Sequence, residues 1–178
     1  MRRVFFILLF LGSTLFAESL HIIPEKSLIG FEISHIGRME VEGAFSDFMV
    51  DLAITDNYWP SANVAVTINT SSLSTKNRMR DRHLKSDDFF DVSQFEFITF
   101  KSKSFFYNND DVWVSGDLTI RGVLKTIEFP FFVLDKENGA FIIEARPTLN
   151  RFDFGMNSHK RTIRREFMVN MQLFIVSN

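Results

Sequence analysis

The chain has 178 residues and no cysteine, and its 20 Lys and Arg against 22 Asp and Glu give a formal charge of −2. That length fits one domain. The slight acidity argues against nucleic acid as a partner, because phosphate binding needs a basic field, and the missing thiols exclude disulfide cross-links and cysteine catalysis.

The first residues run Met1-Arg2-Arg3, then apolar from Val4 to Leu11, then through Gly12-Ser13-Thr14 to Ala17. A basic start, a short apolar run and a small residue at the cut predict a secretory signal peptide over 1–17, which leaves 18–178 as one domain. The run is shorter than the roughly 20 residues that span a bilayer. Export predicts a periplasmic or secreted protein.

From Leu28 to Ile36 the residues Ile29, Phe31, Ile33 and His35 share one face, which predicts a half-buried strand. Val41, Gly43 and Phe45 continue in phase, and the apolar set then shifts by one residue to Phe48, Val50, Leu52 and Ile54. That slip predicts a β-bulge around Ser46-Asp47. Val64, Val66 and Ile68 mark the next strand, after a loop at residues 56–60.

The serines and threonines of 71–75 offer N-caps for a short helix over Lys76 to Leu84, and Ser86 offers one for a second short turn. Further strands are predicted over Phe95–Ser102, Val112–Ile120, Thr126–Leu134 and Phe141–Leu149. Pro130 has no N–H to donate and predicts an edge or bulge in the third of these. The last strand sets Phe167, Val169, Met171, Leu173 and Ile175 on one face.

The strands number seven or eight, with one helical insertion and no strand-helix-strand alternation, so the sheet is expected to be antiparallel. Closing it into a barrel covers its apolar face and removes its edges. An eight-stranded barrel is just wide enough for packed side chains or one small ligand. The 22 Phe, against 2 Trp and 2 Tyr, fit either a dense core or a cavity walled with rings.

No catalytic residues are assigned. His21, His35, His83 and His159 are scattered, and none sits at metal-ligand spacing, so no metal site is predicted. A strained Gly-x-Ser-x-Gly nucleophile turn is missing. Asp81 and His83, two apart on a helix, do not face each other. The group His159-Lys160-Arg161 with Arg164-Arg165 reads first as a solvated basic loop, and secondly as a contact for a phosphate or an anionic membrane surface.

Arg80-Asp81-Arg82-His83-Leu84 followed by Phe89-Phe90-Asp91-Val92 resembles the charged connection of the YceI-like family of exported, lipocalin-like barrels. Phe31-Glu32-Ile33-Ser34-His35, Ile98 to Ser102, Val114 to Val123 and Asn150 to Gly155 are similar to further family signatures. The chain departs from the usual pattern at Lys26 and Leu124.

The resemblance implies an all-β, antiparallel, eight-stranded lipocalin-like barrel with a short helical insertion around residues 76–92. It implies binding, storage or transport of a polyisoprenoid or related long-chain lipid, of quinone or prenyl-phosphate type, with no reaction catalysed and no cofactor beyond the bound lipid. The wall residues are then Phe31, Ile33, Phe45, Phe89, Phe90, Leu118, Phe129 and Phe131, and the head-group candidates are His35, Arg80, His83 and Arg151. Partners are the lipid, a transient membrane-surface contact and a second copy of the chain. The alternative is a stress or interaction protein whose barrel core is filled.

Overall fold

A computed structural model describes residues 20–35, 40–56, 58–135 and 139–177. The expected signal segment, the tip between the first two long strands and most of the 137–139 turn lie outside these residues. The strands are β1 (Leu20–Ile22), β2 (Leu28–His35), β3 (Glu40–Phe45), β4 (Phe48–Ala53), β5 (Asn63–Asn69) and β6 (Leu73–Ser74). After the helix α1 (Arg78–Leu84) come β7 (Phe97–Asn108), β8 (Asp111–Ile120), β9 (Val123–Asp135), β10 (Ala140–Ala145), β11 (Thr148–Asn150) and β12 (Ile163–Ser177).

All described pairings are antiparallel, as expected, in the order β4-β5-β7-β8-β9-β10-β12-β2-β3-β6. Among the described residues the sheet has twelve strands rather than the seven or eight expected. The run through Ser46-Asp47 breaks there into β3 and β4, and three short strands of two or three residues, β1, β6 and β11, pair at the ends of longer ones. β4 stands at one end of the order and β3 beside β6 at the other. Ser46 and Asp47 therefore tie the two ends of the sheet through the chain itself, and the sheet curls into a barrel-like form. Asp47 fixes that corner by accepting from Asn69, at its carbonyl from the backbone N–H and at its carboxylate from the side-chain amide, both at 2.9 Å.

Turn chemistry sets the hairpins. Arg121 and Gly122 both take positive φ, 50° and 69°, as a two-residue turn that matches strand twist requires. Pro130 lies opposite Trp113 of β8, while the register of β9 with β10 runs only from Asp135 to Phe132. It therefore occupies a locally unpaired edge, where its missing N–H leaves no ladder bond unmade. The predicted strand over Phe141–Leu149 is two strands, because Arg146-Pro147 interrupts it before β11.

Alternation places the core. Ile29, Phe31, Phe45, Val66, Ile98, Val114, Leu118, Phe129, Phe131, Phe167 and Leu173 are buried in one cluster inside the curl. Glycine makes room where rings cross the sheet. Phe31 lies over its cross-strand partner Gly43, where a Cβ would overlap the ring, and Phe100 lies over Gly116 in the same way.

Candidate functional site

The interior of the sheet encloses an apolar cavity of about 140 Å³. Phe31, Phe45, Phe90, Leu118, Phe129 and Phe131, all expected as wall, line it, and no charged side chain or hydroxyl does. β4 adds Val50 and Leu52, and β12 adds Val169 and Met171. Near the start of β8, Trp59 packs edge-on to Phe131 with centroids 4.8 Å apart, and it lies 6.0 Å from Phe105.

A second cavity, of about 440 Å³, lies beneath the helical flap formed by α1 and the turn after it. Ile33 and Phe89 line this one and not the barrel interior, which corrects their expected place in the tunnel wall. Ile29 and Phe31 of β2 face the interior, but the sheet curves and carries Ile33 beyond Phe31 and out past the end of the interior. Phe31, Phe90 and Phe167 border both cavities, so they form the partition between them.

The flap folds on itself through polar contacts. Asn77, and not one of the residues 71–75, caps α1 by accepting from the Arg80 N–H at 3.1 Å. Arg80 donates from Nε to the Thr75 hydroxyl at 2.7 Å and from Nη2 to the Thr75 carbonyl at 2.8 Å. Asp81 accepts from the Thr75 N–H at 2.7 Å and from its hydroxyl. Burial pulls the Asp81 carboxyl upward, but the two Thr75 hydrogen bonds and the nearby Lys85 and Arg80 outweigh it and hold the group below its usual range. A short turn follows Ser86, whose carbonyl accepts from the Phe89 N–H at 3.1 Å, but its hydroxyl does not cap that turn and donates back to the His83 carbonyl at 2.8 Å. Arg121 ties the flap to the β8–β9 turn by donating from Nη1 to the Phe89 carbonyl at 2.7 Å.

The head-group candidates fare differently. Arg80 and His83 border the cavity beneath the flap. Arg151 borders it too, but is only 1% exposed, and its guanidinium donates to the carbonyls of Arg164, Ile163 and Met156. With those donors committed, Arg151 holds the 151–164 loop in place, and its pKa is lowered by burial. The side chain of His35 lies outside the described residues.

Sequence reasoning missed the way His83, Asp88 and His159 meet. His83 Nε2 and His159 Nε2 lie 3.3 and 3.7 Å from Asp88 Oδ2. Asp88 Oδ1 accepts from the Ser158 hydroxyl at 2.6 Å, across 70 positions of sequence. That bond first, and His83 second, hold the Asp88 carboxyl below its usual range.

These features define an all-β, barrel-like domain with an apolar interior and a polar flap over a second cavity. The chain belongs to the YceI-like family: residues 20–175 match the model of the YceI-like domain. It is 36% identical over 137 residues to the UPF0312 protein SA2479 of Staphylococcus aureus, covering 74% of this chain and 78% of that one. The fold is similar to that of BcnA of Burkholderia cenocepacia, with a TM-score of 0.80 and 19% identity over 86% of this chain and 99% of that one. It is also similar to a polyisoprenoid binding domain from Saccharophagus degradans, with a TM-score of 0.70 and 14% identity over 90% and 99%.

Proposed function

We propose that the protein, exported to the periplasm or beyond the cell, binds and carries a polyisoprenoid or related long-chain lipid, and catalyses no reaction on it. The observation that carries this reading is the barrel interior, whose lining among the described residues is almost wholly apolar, with no charged side chain and no hydroxyl. Each CH₂ buried there contributes about 0.8 kcal/mol. Family membership and the fold shared with the Saccharophagus degradans polyisoprenoid binding domain support the same reading.

Cavity size sharpens it. A space of about 140 Å³ suits a molecule of roughly benzene size. A long chain must therefore move the rings that fill the rest of the interior, or pass the Phe31–Phe90–Phe167 partition into the cavity beneath the flap. A polar head would then lie near Arg80 and His83. The same small volume favours one second reading, a filled barrel that serves as a stress or interaction protein.

Titration of delipidated protein with an apolar fluorescent probe, followed by displacement with a long-chain isoprenoid alcohol, tests the proposal. Leu118→Trp adds bulk to the lining and should weaken probe binding while the protein stays folded. Probe binding unchanged in a folded Leu118→Trp variant removes the interior from the site.

A further inference from the structure

Three side chains converge where the flap meets the loop ahead of β12. His83 lies in the last turn of α1, Asp88 in the turn after it, and His159 belongs to that loop. Their donor atoms all lie within 4.8 Å of one another, with both imidazole Nε2 atoms close to the same carboxylate oxygen, at 3.3 and 3.7 Å. Donors on a tetrahedral zinc ion, with bonds of about 2.0–2.2 Å, stand about 3.4 Å apart. The two imidazole–carboxylate spacings fall on either side of that value, and the imidazole–imidazole spacing is at most 4.8 Å, so a small rotation of the exposed rings completes the set.

The donors are held in place before anything binds. Ser158 engages Asp88 Oδ1 and leaves Oδ2 toward the imidazoles, and outer hydrogen bonds of this kind orient metal ligands. Phe89 is 4% exposed and serves as a platform for both rings. His159 stacks on it at 5.9 Å and 2°, and His83 meets it edge-on at 5.0 Å and 89°. The rings stay 46% and 42% exposed on their outer side, open to an incoming ion, while Phe89 and Ser158 orient the donors from within.

Two imidazoles and one carboxylate suit zinc and its neighbours better than calcium or magnesium, which favour oxygen ligands throughout. Three protein ligands leave a fourth tetrahedral position open, and both histidines border the cavity beneath the flap. We propose that His83, Asp88 and His159 form a divalent transition-metal site of the zinc class, which clips the flap to the loop before β12 and leaves one position for water or another oxygen ligand. The site does not depend on what occupies the barrel.

The test is a titration of tag-free, chelator-stripped protein with Co(II), followed by visible d–d absorption and then by displacement with Zn(II). A single ion should bind with the absorption of a four-coordinate centre, and zinc should abolish the signal. His83→Ala and His159→Ala, each checked for native fold by circular dichroism, should weaken binding by about tenfold or more. Asp88→Asn should do the same while keeping an oxygen for Ser158, so the turn is preserved. No d–d absorption in the folded wild type overturns the proposal, and so does binding that neither histidine substitution weakens.

Discussion

Phe90 stands edge-on to Phe45, with ring centroids 5.8 Å apart and planes at 89°. A residue of the flap thereby becomes part of the barrel core. Phe90 also lies 6.1 Å from Phe31, and these two rings, with Phe167, close the barrel interior where the second cavity begins. The charged connection after β6 is thus anchored by its apolar pair, while its charges fold the flap and face the cavity outside.

Phe90→Ala removes that anchor. A buried Phe→Ala change costs about 3–5 kcal/mol, and urea unfolding followed by circular dichroism should show a loss in that range. A loss below about 1 kcal/mol would mean that the flap closes over the vacated space at little cost.

Asp81 makes flap stability depend on acid. Its folded pKa is depressed, so its contribution is fully present above the unfolded value and is lost as pH falls through the folded one, where the unfolded chain binds more protons. The stability difference between wild type and Asp81→Asn should be constant at neutral pH and shrink below the usual carboxylate range. Charge-assisted hydrogen bonds of this kind contribute about 1.5–3 kcal/mol, and denaturant titrations at several pH values measure the difference.

Gly43→Ala puts a methyl group into the Phe31 ring and 3.1 Å from Thr75 Cγ2. Overpacking of this type costs about 1–3 kcal/mol. Phe31→Leu in the same chain should recover part of that cost, and a double-mutant cycle reads the coupling directly.

Arg151→Lys tests whether the buried guanidinium is structural. A single ammonium does not reproduce a planar fork that reaches three separate carbonyls. Each buried acceptor left without a partner costs about 1–3 kcal/mol, so the thermal midpoint should fall clearly. If it does not move while lipid retention drops, Arg151 belongs to the head-group site instead.

Much of the barrel was legible in the sequence because strand periodicity writes burial directly into the residue order. The alternation of Phe129 with Phe131, and of Phe167 through Leu173, places those residues on the inner face. The slip at Ser46-Asp47 marked the corner, although it breaks the strand instead of bulging it. What stayed hidden depends on curvature or on distant partners. Period two cannot say that Ile33 leaves the interior while Phe31 stays in it. Nor does any local pattern bring Asp88 to Ser158 or His83 to His159, because those contacts exist only once the loop before β12 folds against the flap. Arg151 was similarly opaque, since its partners are backbone carbonyls, which every sequence contains.

Whether the interior holds a long apolar chain is decided by native mass spectrometry of protein purified from its own cells, with organic extraction of the same sample. A bound species whose mass spacing marks an isoprenoid or similar long-chain lipid should appear, be released on extraction and be diminished in a folded Phe131→Glu variant. Protein that carries no lipid from the cell, and takes up no apolar probe after delipidation, would contradict it and leave the filled barrel as the correct description.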